Sequence, residues 1–181
     1  MRCFRNKNII RWLDICGFIY PISILYVLGC APLSIKEGAF SPSHKNYTIR
    51  LPEKGWEPIK RGKEDISFRH KQYQATIAII SSDIEHTSYS LEMLSSQLFI
   101  GMKDKKILLK ETALVDNQSA MHTIVVGEME NCMLKINSYV IRKEDRVYDL
   151  VYWAPSDSFD RALGDFEDFV RSFKFTFKNS K

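Results

Sequence analysis

Four cysteines and four histidines are the residues of this 181-residue chain with the most chemistry to offer. Cys3, Cys16 and Cys30 fall within the first thirty positions, and Cys132 stands far downstream. A thiolate acts as nucleophile or metal ligand where its surroundings hold it deprotonated. Cys132 is followed by Met133, Leu134 and Ile136, which read as a strand and not as an electropositive pocket. The expectation is a small buried hydrophobe with no intrachain disulfide, against the alternative of a reactive thiol. The histidines, His44, His70, His86 and His122, are isolated from one another. A zinc site needs three or four converging ligands, and no spacing here predicts one. His70 and His122 both occupy strand positions, so a spatial pair is weighed against two unrelated side chains. There is no G-x-S-x-G, no P-loop, no H-E-x-x-H and no C-x-x-C. No catalytic residue, metal or cofactor is expected.

Three further sets invite a binding role. Asp160, Asp165, Glu167 and Asp168 lie on one side of a helical stripe, an acidic docking face or simply a solvated one. Lys103, Lys105, Lys106 and Lys110 form the densest basic patch, fit for anionic lipid headgroups or for a solvated loop after a helix. Tyr148, Tyr152 and Trp153, near a strand end, are a candidate binding surface, with core packing as the alternative.

The formal charge of +4 comes from 26 basic and 22 acidic residues. Arg2, Arg5, Lys7, Arg11 and Asp14 precede Cys30, which leaves 22 bases against 21 acids from Cys30 onward, a net of +1. So neutral a domain has no electrostatic case for nucleic acid as a partner.

Those early bases form a positive leader. Residues 15–28 follow as an uncharged, mostly apolar run of 14 residues, interrupted by Gly17 and Pro21. As a helix it would span about 21 Å at about 1.5 Å per residue. That is short for a hydrocarbon core of about 30 Å and suited to an export signal. Next comes Val27-Leu28-Gly29-Cys30-Ala31. The string resembles the bacterial lipobox, in which aliphatic residues and a small residue precede a cysteine. The resemblance implies cleavage between Gly29 and Cys30, a lipid thioether on the Cys30 sulfur, and acylation of the new amino group. Two or more acyl chains anchor a protein stably, where one is marginal. Leu28 is bulkier than the pattern usually has, and Asp14 borders the apolar run. The competing readings are an uncleaved signal anchor over residues 9–28 and a buried soluble helix. Ala31, where an Asp would favour inner-membrane retention, implies the periplasmic face of the outer membrane if the host is Gram-negative.

The domain division is then 1–29 as signal, 30–46 as lipidated cysteine and tether, and 47–178 as the folded domain. The tether is rich in Pro, Ser and Gly and lacks periodicity. Its 16 residues after Cys30 reach about 20–24 Å as a flexible chain.

Alternation marks a strand at Tyr47, Ile49 and Leu51, a second from Trp56 with Pro58 at an edge, a third at Ile66 and Phe68, and a fourth at Ala75, Ile77 and Ile79. Leu91, Leu94, Leu98 and Met102 share one helical face, capped by Ser88 or Ser90 and closed by the lysines at 103–106. Four strands follow, over about 107–115, 120–130, 132–142 and 146–153, with breaks too short for anything but an antiparallel meander. Phe159, Leu163, Phe166, Val170 and Phe173 make a final helical stripe, capped by Asp157 or Ser158, and Phe173, Phe175 and Phe177 alternate as an extended tail. The pattern predicts an α+β domain: an antiparallel sheet of six to eight strands with helices packed on it.

This order of elements, with Gly55-Trp56, Asp65-Ile66-Ser67-Phe68 and the closing Val170-Arg171-Ser172-Phe173-Lys174-Phe175, resembles the PsbP-like (Mog/PsbP) family over roughly residues 46–177. The resemblance implies an α/β/α sandwich and a non-enzymatic docking or assembly role. Anchor and fold together set the expectation of a membrane-held, non-catalytic interaction module of the bacterial cell envelope. Its partner would be an envelope protein and the membrane would be met through Cys30. A small-ligand carrier or sensor is the alternative, which requires a pocket of about 300 Å³ or more between sheet and helix. An enzyme is the third.

Overall fold

The computed structural model describes residues 35–36, 39–42, 45–59, 62, 64–84 and 89–176. The expected signal segment, Gly29 and Cys30, along with His44, His86 and Phe177, lie outside the described residues.

The meander dominates the fold. β7 (Lys103–Val115), β8 (Gln118–Met129), β9 (Cys132–Lys143) and β10 (Arg146–Pro155) run antiparallel in consecutive pairs. The breaks between them close as two-residue turns. Asp116 and Asn117, at φ 47° and 61°, and Glu130 and Asn131, at 51° and 62°, adopt the mirror-type geometry that matches strand twist. Asn and Asp tolerate that region through local hydrogen bonding.

The first half of the chain supplies the rest of the sheet. β4 (Trp56–Ile59), β5 (Ile66–His70) and β6 (Thr76–Asp83) form an antiparallel run, and β6 pairs with β10. The seven-stranded order is β4-β5-β6-β10-β9-β8-β7. After β6 the chain crosses to the far edge and walks back to the centre. Pro58 sits on edge strand β4, where its missing N–H costs no ladder bond.

A second, smaller sheet has the order β1-β2-β3-β11, from β1 (Ile35–Lys36), β2 (Ala39–Phe40), β3 (Tyr47–Arg50) and β11 (Lys174–Phe175). The expected tether is therefore shorter on its domain side. Phe40 is buried in the core, and β2 pairs with β3 through Ala39↔Arg50 and Phe40↔Ile49.

Period-two alternation sorts the main sheet into two faces. Ile77, Ile79, Ile141, Leu150 and Tyr152 point to one face and meet Tyr47 and Ile49 of the small sheet and Phe166, Phe173 and Phe175 from the chain's end. The helix on this face is α2 (Leu163–Ser172), preceded by a 3₁₀ turn at Phe159–Arg161. The expected single helix breaks at Ala162 (φ −129°), and neither Asp157 nor Ser158 caps α2. The Ser158 hydroxyl instead donates to the carbonyls of Tyr73 (3.1 Å) and Pro155 (3.3 Å). Phe169, outside the predicted stripe, is also buried.

The other face carries α1 (Leu91–Gln97), laid over β8 and β9. Ser90 caps it, its hydroxyl accepting the Met93 N–H at 3.1 Å. Ser95 and Thr123 join hydroxyls at 3.0 Å beneath the helix. The helix is shorter than its apolar spacing predicts. The chain leaves it through successive i→i−3 bonds and Gly101 at φ 88°, so Met102 lies just before β7 and the lysines at 103–106 open that strand and do not end a helix. Met102 reaches its place because Gly127 on β8 has no side chain. A Cβ there would meet Met102 Cγ at 2.7 Å and the Lys103 carbonyl oxygen at 2.8 Å. The result is an α+β fold with a central antiparallel sheet covered on both faces.

Cys132 is disulfide-bonded, which corrects the expectation that it has no disulfide partner; the other sulfur lies outside the described residues.

Candidate functional site

The expected aromatic surface is divided by the sheet. Tyr148 and Tyr152 point into the α2 side, 2% and 0% exposed, and Trp153 packs on the α1 side beside the Val125–Leu134 cluster. Tyr148 donates to the Lys45 carbonyl at 3.0 Å and Tyr152 to the Phe159 carbonyl at 2.6 Å. Burial pushes both phenols above their ordinary range. These residues fill the core and form no shared binding surface.

The histidines do not meet. His70 on β5 and His122 on β8 have three strands between them, about 19 Å at about 4.8 Å per strand. The His70 Nδ1 accepts the N–H groups of Gln72 (3.2 Å) and Tyr73 (3.3 Å), and so organises the β5–β6 turn. His122 stacks on Tyr139 with ring centroids 4.1 Å apart. Its two nitrogens face Glu111 Oε1 (3.2 Å) and Asn137 Oδ1 (2.9 Å), which leaves neither to activate a nucleophile. Among the described residues no group of three or more His, Cys, Asp or Glu side chains is arranged to hold a metal ion.

The predicted acidic face runs over the 3₁₀ turn and α2, and several of its carboxylates have partners within the fold. Asp165 accepts the Trp56 Nε1–H at 2.9 Å, Asp168 pairs with Arg171, and Asp160 lies 3.5 Å from Lys135.

The edge strand β7 is different. It ends the seven-strand order, and among the described residues no strand covers its outer side. At 13 residues it is the longest strand, and it carries Ile107, Leu108 and Leu114 with 53%, 47% and 74% of their surface exposed. Lys103, Lys105 and Lys106 precede the apolar run, and Lys110, which pairs with Glu92 of α1, follows it. Register shifts fall between Lys103 and Lys106 and between Ile107 and Leu109. Lysines and bulges keep an edge from pairing with a like edge. The edge was not visible in sequence because strand order is not; the signal present was four lysines bracketing Ile107-Leu108-Leu109.

Three clefts also open among the described residues. One of about 470 Å³ lies between Arg50, Lys54 and α2 residues Asp165, Asp168 and Phe169. One of about 680 Å³ is formed by the turns around Gln72, Asn131 and Ser156. The third, about 300 Å³, lies between the sheet and α1. It contains Asp149, whose carboxyl burial pushes up to about 7. No helix among the described residues is long and apolar enough to cross a membrane.

The α+β fold is similar to that of three solved structures, one of them a PsbP. Cyanobacterial PsbP (CyanoP) from Synechocystis sp. PCC 6803 superposes with a TM-score of 0.56 at 16% identity, over 90% of this chain and 98% of that one. LpqN of Mycobacterium tuberculosis, described as involved in cell envelope biogenesis, gives 0.58 at 14% identity, over 74% and 86%. A Bacteroides thetaiotaomicron VPI-5482 protein gives 0.55 at 7% identity over 80% of this chain, which spans 50% of that protein's length. No protein family's sequence profile matches this chain, and no curated protein matches it in sequence.

Proposed function

We propose that this chain is a lipid-anchored, non-catalytic docking module of the bacterial cell envelope, which offers β7 to an extended acidic-and-apolar segment of an envelope protein. The observation that carries the docking half is the 13-residue edge, covered by no strand among the described residues, with Ile107, Leu108 and Leu114 exposed. A strand added there would satisfy outward-facing backbone groups, and side chains opposite the lysines would set specificity. Lys103, Lys105, Lys106 and Lys110 against Asp104 and Glu111 give β7 a charge of +2, so the matching segment places Asp or Glu opposite them.

The anchoring half rests on Val27-Leu28-Gly29-Cys30-Ala31 after a basic leader and apolar run. Cleavage after Gly29 and lipid on Cys30 would hold the domain beside a bilayer, on the periplasmic face of the outer membrane in a Gram-negative host. The likeness to LpqN, a protein of cell envelope biogenesis, supports the compartment through fold alone. A sulfur in a disulfide cannot also carry lipid, and cleavage after Gly29 would remove Cys3 and Cys16, so lipid on Cys30 and an intrachain disulfide at Cys132 exclude each other in the processed chain.

The docking half is tested by photocrosslinking in intact cells. A crosslinking residue at position 108 on β7 should give one discrete adduct, and one at position 57 on the opposite edge should give none. The adduct from 108 should be lost when Lys105 and Lys106 become Glu. Equal adducts from both edges, or an adduct unaffected by charge reversal, would contradict it.

A further inference from the structure

Asp149 occupies an unusual position for a carboxylate. It lies mid-strand in β10, and its direct cross-strand neighbours are Ile80 of β6 and Val140 of β9. Paired residues in a sheet share a face, so all three point toward α1. Asp149 is half-buried, and its carboxyl has no hydrogen bond and no counter-ion among the described residues. A charge drawn partly out of water without a partner is costly to a fold.

The surrounding cations are committed elsewhere. Arg146 bonds Asp83 Oδ1 through Nε at 2.8 Å, and Arg142 donates to the Tyr89 carbonyl at 2.8 Å. Around the cleft Gln97 of α1 and Ser82 of β6 are neutral, and Asp83 of β6 is the acid that Arg146 bonds. Asp149 is the acid of this lining that no cation among the described residues answers.

It also has space in front of it. The cleft of about 300 Å³ opens beside Asp149, walled by Ile84, Leu94, Leu98 and Val147. Its volume is at the lower limit for small-molecule sites. With Asp83 held by Arg146, a single unpaired carboxylate beside these side chains does not suit a divalent cation, which wants several oxygen ligands. It suits an organic monocation with a short hydrocarbon body.

We propose that the cleft between α1 and the sheet binds a small aliphatic primary amine, its ammonium group on the Asp149 carboxylate and its carbon chain against Leu94, Leu98 and Val147. The site is on the α1 face, distinct from the outer edge of β7, so it stands or falls separately from the docking reading.

The test is a titration of the full-length chain in detergent at pH 8, read by backbone amide chemical shifts. The probes are n-butylamine and its neutral isostere n-butanol. n-Butylamine should bind with shifts centred on β10 and α1, and n-butanol should bind about tenfold more weakly or worse, the equivalent of one hydrogen bond to a charged group. Asp149→Asn should reduce n-butylamine binding by a similar factor. Equal binding of the two probes to the unmodified chain would overturn the proposal. So would unchanged amine binding by a folded Asp149→Asn variant, or no amine binding at pH 8.

Discussion

Asp116, at the tip of the β7–β8 hairpin, accepts the backbone N–H of Phe175 through Oδ2 at 2.8 Å, and Lys174 Nζ lies 3.0 Å from its Oδ1. One side chain thus ties the far end of the main sheet to β11 in the small one. Burial alone would raise its carboxyl, but the Phe175 amide and the Lys174 charge outweigh that and hold it below the ordinary range. Asp116→Ala should cost about 1–2 kcal/mol in urea denaturation, as removal of a hydrogen-bonded charged acceptor does. A depressed carboxyl contributes stability that is complete above the unfolded value of about 3.8 and is lost as pH falls through the lower folded value. The gap between the wild type and the variant should therefore close in acid below about pH 4. A gap independent of pH would contradict the role assigned to the charge.

Gly127 is required by contact. A methyl group there would press on the Met102 side chain and on the Lys103 carbonyl oxygen, the second of which belongs to backbone and cannot swing aside. Gly127→Ala should destabilise by about 1–3 kcal/mol and shift the amide resonances of β7 before those of β10. A neutral substitution, in melting temperature and in spectrum, would show that the start of β7 is looser than this contact implies.

The meander and the final stripe were legible because each is a long run of one period. Strands of 10 to 13 residues broken by two polar residues leave little choice of partner. Other features had no such signal. Leu98 and Met102 continue the spacing of α1, yet apolar residues leaving a helix look the same as apolar residues within it, and Gly101 decides the matter. Phe40 pairs within a two-residue strand, too short for any alternation, so its stretch read as tether. The separation of Tyr148 and Tyr152 from Trp153 follows from period two alone. Asp149 was readable in the same way, as an acid sharing a strand face with Val147 and Val151.

Asp149 makes its own stability prediction. Its carboxyl, raised from 3.8 to about 7 by burial, keeps its proton in the folded chain where the unfolded chain has lost it. Stability should therefore fall as pH rises from about 4 to about 7 and level off above that. The shift bounds the loss at about 4 kcal/mol, and water at the cleft mouth reduces it. Asp149→Asn should be more stable than the wild type by about 1–3 kcal/mol at pH 8, with the two converging near pH 4. Urea midpoints across that range measure it. Parallel curves would mean that the carboxyl ionises freely in the fold.

The account turns most on what happens to residue 30, because lipid on that sulfur is what would hold the domain beside a membrane. Mass spectrometry of the N-terminal peptide from the native protein tests this directly. The predicted result is a chain beginning at Cys30 with a diacylglycerol thioether on its sulfur and an acyl group on its amine. A chain that still begins at Met1, or a Cys30 whose sulfur carries no lipid, would contradict it.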